Sequence, residues 1–586
     1  MTRSRYAFDP ARHETELDAL IDAIEGRETL DRIGLEELLR RFPKEGRGFF
    51  SKSEIIRGYR HLKAEATAEE ERAFLDKIRM KPVRTSSGVA PVTVLTKPHP
   101  CPGQCIFCPS DVRMPKSYLS DEPGAQRAAQ HQFDPYQQTL SRLLTYRNTG
   151  HRSDKVELII LGGTWSSYPE TYQLWFTKRC FDALNDFGRV LGGWEPDLEA
   201  DPEIDFRSLG ETVDGRRIAR RYNEIVTDFA GATGLGETAT WEQLGTVQAE
   251  NEAAAARCVG LVIETRPDHM NEAETVRLRR LGATKVQIGI QSLSDEVLRL
   301  NRRGHDVATT RRALRLLRQA GFKIHAHWMP NLYGSSPTSD IEDFTRLFSD
   351  PDIQPDELKI YPCSLIESAE LMAYYDDGRW RPYTHDELLE VLASCLLATP
   401  EYCRVTRVIR DIPGTDIVVG NKLTNFRQIV EGEMAEDGRR SRDIRNREIG
   451  QDPVARDDLL LRRTDYESGA GREIFLQFVT ADDRLAAFLR LALPDGRPPI
   501  AEIAASAMIR EVHTYGRLLG IGERGAGPSQ HLGLGRDLIE RAALLAAEAG
   551  FTDLAVISSV GTRRYYRRLG FDDGPLYQHR SLGREV

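Results

Sequence analysis

The sequence predicts a mixed α/β protein that contains a partial (β/α)6 barrel, a second and smaller α/β domain, and a helical N-terminal region. In the middle of the chain, six short apolar runs alternate with amphipathic helical stretches, a pattern typical of βα repeats around a parallel sheet. Six strands are too few for a closed eight-stranded barrel, so we expect a partial barrel or an open sheet. A new series of strands begins near residue 466 and predicts the second domain.

The 586 residues divide into four predicted segments. Residues 1–85 have apolar spacings of three and four and form a helical, basic region. The barrel covers 86–410 and is interrupted by an acidic insertion, rich in turn formers, at 188–245. A basic linker covers 411–465, and 466–586 form the C-terminal α/β domain.

The composition narrows the class of protein. The chain is 40% hydrophobic and 29% charged, and no apolar run approaches the roughly 18–20 residues of a membrane span. The N-terminus lacks the apolar core of a signal peptide, so we expect a cytoplasmic protein without membrane association. In a reducing compartment a disulfide framework is not expected for a chain of this size.

Three of the eight cysteines lie within eight positions, in the stretch KPHPCPGQCIFCPS. Cys101, Cys105 and Cys108 form C-x3-C-x2-C on a loop that follows the first predicted strand. Short loops of this kind hold iron–sulfur clusters, and three thiolates on a [4Fe–4S] cube leave one iron open to a small chelating ligand. A zinc site with His99 as the fourth ligand remains an alternative.

Other candidate residues follow later strands. The strand KVELII ends in Gly162, Gly163 and Thr164, while Glu264 and Gln291 end two further strands. Because ligands bind at the carboxyl ends of parallel strands, we expect these residues to face the same mouth as the cysteines.

The C-terminal domain carries a second glycine-rich signal. The stretch QHLGLG, 530–535, opens a helix directly after a loop. Glycines at this place let backbone N–H groups approach a pyrophosphate at the positive end of the helix.

These motifs resemble two known families. The cysteine spacing, with Phe107 before the last cysteine, resembles the radical S-adenosylmethionine (SAM) superfamily, and QHLGLG with the later YYRRLGF resembles the GCN5-related N-acetyltransferase fold. The first resemblance implies a [4Fe–4S] cluster on the three cysteines and SAM at Gly162, Gly163, Thr164, Glu264 and Gln291. The second implies that acetyl-CoA is bound by Glu511, Val512, His513, Thr514, Leu534, Gly535, Arg536 and Tyr566, with Tyr566 near the thioester and Tyr565 as its neighbour.

The combination resembles the catalytic subunit of the Elongator complex in its stand-alone prokaryotic form. Strings such as RMKPVRTSSGV, HWMPNLYG, LKIYPC, RDIPG and REVHTYG carry the likeness from about residue 79 to 571. It implies modification of the tRNA wobble uridine: a SAM-derived radical takes hydrogen from the methyl group of acetyl-CoA, and the acetyl carbon joins uridine C5 as a carboxymethyl group. Lys155 matches a family position linked to acetyl-CoA handling. The cluster also requires an electron donor, and the sequence leaves open whether the chain forms a homodimer.

Two basic stretches are the candidate tRNA contacts. Residues 39–63 hold eight lysines and arginines against two glutamates, with aromatic residues between them, and 438–447 form the second stretch. Cations with interleaved aromatics suit a phosphate backbone and stacked bases. Some relatives bind a structural metal in the linker through a cysteine-rich run, where this chain has Ser441, Asp443 and Asn446, so we expect no zinc there.

Three other functions compete with this interpretation. A protein lysine acetyltransferase with a purely structural cluster would need no SAM. A radical SAM methylthiotransferase would need a second cysteine set, which the sequence lacks. A non-catalytic RNA-binding scaffold would have no use for the cysteine triplet.

Overall fold

A computed structural model describes residues 8–78, 88–196, 222–227, 237–450, 454–516 and 533–583. The predicted N-terminal helices are present as α1 (Glu14–Glu25), α2 (Arg32–Arg41), α3 (Lys52–Leu62) and α4 (Ala68–Ile78). A capping box between Ser51 and Glu54 starts α3. The four helices enclose their own core around Leu17, Ile55 and Phe74, so this region folds as a small helical unit.

A parallel sheet forms the centre of the molecule. Its strands are β1 (Ala90–Leu95), β2 (Lys155–Leu161), β3 (Arg257–Thr265), β4 (Lys285–Gln291), β5 (Lys323–Trp328), β6 (Glu357–Ile360) and β7 (Arg404–Val408). Each strand pairs with the next along the chain, and within the described residues β1 does not pair with β7. The predicted partial barrel is therefore confirmed. It has one strand more than the six predicted, because the five-residue run RVTRV carries too little apolar signal.

Helices between the strands cover the sheet. They are α5 (Pro123–Gln130), α6 (Pro135–Asn148), α7 (Glu170–Leu191), α8 (222–227), α9 (Trp241–Asn251), α10 (Glu272–Arg280), α11 (Asp295–Leu300), α12 (Val307–Gln319), α13 (Pro337–Ser349), α14 (Leu371–Asp376) and α15 (His385–Ala398). Helices α7 and α9 extend into the predicted insertion from both sides. The right-handed βα arrangement places all strand carboxyl ends at one mouth.

The C-terminal α/β domain is also confirmed. Its strands are β8 (Leu460–Ser468), β9 (Gly471–Val479), β10 (Leu485–Pro494), β11 (Ser506–Thr514), β12 (Asp553–Val556), β13 (Asp572–Asp573) and β14 (Gln578–Ser581). They lie in the order β13-β14-β12-β11-β10-β9-β8, and only β11 and β12 pair in parallel. Helix α18 (Leu534–Glu548) packs on β10 and β11, and the short helix α19 (Arg563–Arg567) follows β12.

The predicted linker is folded between the two domains. It contains α16 (Phe426–Glu436) and α17 (Ile444–Arg447), and its last residues already belong to β8. The guanidinium of Arg447, in the second basic stretch, is buried and donates to Gln477 Oε1 at 2.6 Å. The carboxylate of Asp443 is fully buried and accepts from the backbone N–H of Val405 at 3.1 Å. This stretch of charge therefore includes interior residues, which a charge count does not reveal.

A buried ionic network joins the C-terminal domain to the barrel. Asp356, just before β6, is fully buried between the guanidinium groups of Arg510 and Arg490. Arg510 also donates to Glu473 at 2.9 Å, and Glu473 pairs with Arg318 of α12. Because these contacts lie at the amino ends of β5 and β6, the second domain docks on the end of the barrel opposite the cysteine loop.

Among the helices that the structure describes, no helix has the length and apolarity needed to cross a membrane.

Candidate active site

The three cysteines line one cavity of about 220 Å³ at the carboxyl ends of the strands. Cys105 is buried, while Cys101 and Cys108 are partly exposed. A hydrogen bond from Cys108 lowers the pKa of Cys105, and the nearby guanidinium groups of Arg303 and Arg266 lower it further. A lowered pKa favours the thiolate form of Cys105, which is the form that binds a metal.

The donor set fits an anionic iron–sulfur cluster. Nη1 of Arg303 lies 3.6 Å from Cys105 Sγ, and Nη1 of Arg266 lies 3.9 Å from it. Gly103 allows this approach, since a β-carbon there would overlap the Arg266 side chain. No three His, Cys, Asp or Glu side chains in the described ranges already surround a single ion position. The two guanidinium groups beside Cys105 suit the negative charge of a cluster bound by thiolates.

The predicted glycine motif lies in the same cavity. Gly162 follows β2 with a φ of 144°, and a β-carbon there would overlap the hydroxyl of Thr96. Only glycine fits this backbone position. Gly162, Gly163 and Thr164 line the cavity at this strand end, where the resemblance places the amino group of SAM.

Glu264 and Gln291 face that cavity as predicted. Burial raises the pKa of Glu264, whose carboxylate lies 3.4 Å from the Tyr118 hydroxyl and 3.7 Å from His327 Nδ1. Gln291 has a left-handed φ of 69°, and its buried Oε1 has no hydrogen-bond partner within the described part of the chain. A buried polar atom without a partner costs free energy unless a ligand supplies one. Both side chains therefore suit a polar ligand such as SAM.

Sequence reasoning missed several cavity residues. Lys359 and Tyr361, at the end of β6, line the cavity with Arg407 and Arg410. Burial lowers the pKa of Lys359 to about 8, and its ammonium group donates to Gln287 Oε1 at 2.6 Å. Ligands bind at the carboxyl ends of parallel strands, and this rule applied to LKIYPC would have predicted Lys359 and Tyr361. These cations favour an anionic ligand at the mouth.

His99 makes other contacts than those a zinc site needs. Its ring stacks on Tyr168 at 4.3 Å, and its Nε2 lies 3.2 Å from the carbonyl oxygen of Ser167. Burial lowers the pKa of His99. The imidazole is therefore held by Tyr168 and Ser167, which favours the iron–sulfur interpretation over zinc.

The predicted acetyl-CoA residues partly converge at the start of α18. A β-carbon on Gly535 would lie 3.1 Å from the Tyr565 hydroxyl, 3.7 Å from Thr514 Cγ2 and 3.8 Å from Val512 Cγ1. Gly533 caps the helix in a left-handed conformation with φ of 74°. Residues 530–532 of the motif lie outside the described residues. The remaining part forms a glycine-lined helix N-terminus of the kind that binds pyrophosphate.

The other acetyl-CoA candidates occupy different surroundings. The carboxylate of Glu511 is held by Lys323 and Arg490 in the interface between domains. Burial lowers the pKa of His513 to about 3, so its ring is neutral at pH 7, and Nε2 has no partner among described atoms. Tyr566 is buried against Phe571, whereas Tyr565 is 37% exposed. Leu534 is buried and Arg536 is exposed on the first turn of α18.

Lys155 lies at the opposite end of β2 from Gly162. It shares a face of that strand with Glu157, and burial lowers its pKa. Its ladder partner is Arg257, and the adjacent Cys258 carbonyl accepts from the Ser559 hydroxyl at 2.8 Å. Lys155 is therefore close to the C-terminal domain and remote from the cysteines.

The first basic stretch contains both internal and exposed cations. Lys44 pairs with Glu54 at 2.5 Å, and Arg60 pairs with Glu71 at 2.5 Å. Arg40 and Arg41, in the last turn of α2, are exposed. Only the exposed subset is available to a polyanion.

Comparison with known proteins identifies the class first. The Radical SAM superfamily model matches residues 99–347, and the Radical_SAM C-terminal domain model matches 355–436. The cysteine cavity and these matches define a radical SAM protein joined to a second α/β domain.

Close relatives then define the family. A tRNA uridine(34) acetyltransferase of Dehalococcoides mccartyi is 39% identical over 499 residues, covering 83% of this chain and 96% of that protein. Elongator complex protein 3 of Homo sapiens is 32% identical, covering 85% of each chain. The structure of Methanocaldococcus infernus Elp3, lacking its N-terminus, superposes with a TM-score of 0.66 at 34% identity, covering 84% of this chain and 99% of that one. The chain belongs to the family of tRNA uridine(34) acetyltransferases and Elongator complex protein 3.

Proposed function

We propose that this protein modifies the wobble uridine of tRNA, using SAM and acetyl-CoA to place an acetyl-derived carboxymethyl group on C5. The observation that carries the proposal is that one chain contains two sites, in domains joined by a buried ionic network. A cysteine-lined cavity lies at the carboxyl ends of the barrel strands, and a glycine-lined helix terminus belongs to the domain docked at the other end. The related proteins named tRNA uridine(34) acetyltransferase favour tRNA over a protein lysine as acceptor.

At the first site, Cys101, Cys105 and Cys108 would hold the cluster, and the glycines at 162–163 with Glu264 would bind SAM. When bound, the cluster and SAM together supply a strongly oxidising carbon radical, which acid–base side chains cannot provide. An electron donor for the cluster is a further requirement. The chain's own contribution is to bind and orient the ligands.

At the second site, Gly535 and the first turn of α18 would bind the pyrophosphate of acetyl-CoA. Thr514 and Val512, which also lie next to Gly535, would line its arm. Tyr566 would lie near the thioester, and its neighbour Tyr565 directs its hydroxyl at Gly535. The neutral imidazole of His513 has a free nitrogen with which to orient a water or a carbonyl group. Lys155, at the amino end of β2, would contact acetyl-CoA from the barrel.

The barrel interior between the two sites is polar. Lys285 donates to Glu157 at 2.6 Å and to Glu357 at 3.0 Å. Further along the strands, His325 and His327 replace the apolar residues usual in a barrel core, with ring centroids 5.7 Å apart. A polar interior supports a function in which a reactive group from one site is used at the other.

The tRNA would bind at the cationic mouth, where Lys359, Arg407 and Arg410 lie beside the cavity. The exposed cations of the helical unit, Arg40 and Arg41, would add phosphate contacts.

The experiment that tests this function is anaerobic reconstitution followed by acetyl-CoA turnover. We expect tRNA to stimulate thioester hydrolysis and wobble uridine to gain the mass of a carboxymethyl group. Cys105→Ser should abolish the modification. Turnover that is indifferent to tRNA, together with full modification by Cys105→Ser, would contradict the proposal. Transfer of acetyl to a protein lysine without SAM would support the alternative function instead.

A further inference from the structure

The predicted insertion contacts the cysteine loop directly. Three pieces of it are described between α7 and α9, namely residues 192–196, helix α8 and residues 237–240. Glu237 forms an ion pair with the ammonium group of Lys97, four residues before the first cysteine. Helix α8 lies against the loop itself. The insertion is thus part of the surroundings of the cysteines, although its acidic, turn-rich sequence indicated no such role.

Asn223 of α8 binds both backbone groups of Cys101. The Cys101 N–H donates to Asn223 Oδ1 at 3.0 Å, and Asn223 Nδ2 donates to the Cys101 carbonyl oxygen at 3.0 Å. A side-chain amide that satisfies both groups of one residue acts as a neighbouring β-strand would. It restricts the backbone rotation of Cys101 and so fixes the direction of the Cα–Cβ bond that carries the sulfur.

Tyr222 anchors the helix on the far side of the loop. Its side chain is fully buried, and its hydroxyl donates to the Met114 carbonyl oxygen at 2.9 Å. The ammonium group of Lys116 lies 4.8 Å from the ring centroid and donates to the Ser110 hydroxyl at 2.5 Å. Helix α8 therefore contacts the chain both at the first cysteine and after the last one.

Cys101 and Cys105 are held in different ways. Cys105 is held by its interactions with Cys108 and with two guanidinium groups. The backbone of Cys101 is instead held by α8. Partners that orient metal ligands without touching the metal commonly change metal affinity about 10- to 100-fold when they are removed.

We propose that α8 is a clamp on the cysteine loop, in which Asn223 and Tyr222 are positioning residues that fix Cys101 and determine how firmly the chain holds its cluster. The inference rests on the cluster site proposed above. It assigns a role to the insertion that is independent of the identity of the acceptor. Neither residue touches the cluster in this role, because both act through the loop.

The test compares iron release from anaerobically reconstituted full-length variants under excess chelator, together with the electron paramagnetic resonance spectrum of the reduced cluster. We expect Asn223→Ala to release iron about 10-fold faster than wild type and to alter the spectrum. Tyr222→Phe, which loses one hydrogen bond but keeps the ring, should release iron about 3- to 5-fold faster. Thr227→Ala is the matched control, since its exposed hydroxyl donates to the Asn223 carbonyl oxygen within α8.

Equal release rates and identical spectra for all four proteins would overturn the clamp while leaving the proposed function standing. Acceleration by Thr227→Ala equal to that by Asn223→Ala would also overturn it, because general loosening of the helix would then explain the effect. A wild-type chain that takes up no cluster would overturn the proposed function and the clamp with it. The assay contains neither tRNA nor acetyl-CoA, so its result does not depend on which molecule accepts the acetyl-derived group.

Discussion

Replacing Asp356 by alanine should strongly destabilise the junction between the barrel and the C-terminal domain. The carboxylate is completely buried and is bound by Arg510 and Arg490, whose side chains are also buried. It further accepts the backbone N–H of Ile324 at 2.8 Å, and the nearby guanidinium groups hold its pKa below the usual range despite burial. Arginine stays protonated, so the substitution leaves positive charge uncompensated in the interior.

The size of the effect follows from that uncompensated charge. Removing one partner of a buried ion pair costs about 3–5 kcal/mol, most of it from the group left behind. We therefore expect Asp356→Ala to lower the free energy of unfolding by about 3–5 kcal/mol, measured by urea denaturation of the full chain. Glu296→Ala is the control, because its pair with Arg299 is exposed and should contribute nothing measurable. A loss below about 1 kcal/mol for Asp356→Ala would refute the reasoning.

Three further outcomes are expected. Hydrogen bonds to two carboxylates raise the pKa of His579 to about 9, so the stability that the protonated ring contributes is complete below about pH 6.5 and is lost as the pH rises through 9. In thermal unfolding, His579→Gln should therefore cost about 1–2 kcal/mol at pH 6 and little at pH 10. A cost that does not change with pH would contradict this. Gly162→Ala should weaken SAM binding at least about 10-fold by calorimetry, because a β-carbon there overlaps the side chain of Thr96. Gly245→Ala, whose β-carbon meets open space, should leave the affinity unchanged, and equal affinities for the two variants would refute the fit. Joint alanine substitution of Arg40 and Arg41 should reduce the slope of log binding constant against log salt for tRNA by about two, and an unchanged slope would place the tRNA elsewhere.

The sequence predicted the parts of the site that depend on local pattern. The spacing of Cys101, Cys105 and Cys108, and the strand ending at Gly162, are short-range signals that the fold brings to one cavity. Parallel βα topology then requires Glu264 and Gln291 to meet them. These residues could be found because strand ends share one side of a parallel sheet.

Long-range partners could not be predicted in the same way. Asn223 is 122 positions from Cys101 and lies in a segment with no periodic pattern. Arg447 is part of a run of charge whose composition suits a solvated surface, yet it is buried by contacts with residues 30 and 36 positions away. Burial depends on which elements pack together, and this information is spread over the whole chain.

The most direct test of the central claim uses acetyl-CoA whose methyl group carries three deuterium atoms. In the presence of tRNA and SAM, we predict one deuterium in the released 5′-deoxyadenosine and two in the carboxymethyl group on uridine, both measured by mass spectrometry. This result would show that the methyl group of acetyl-CoA loses its hydrogen before the carbon joins the base. Unlabelled 5′-deoxyadenosine, with all three deuterium atoms retained on a transferred acetyl group, would contradict the account.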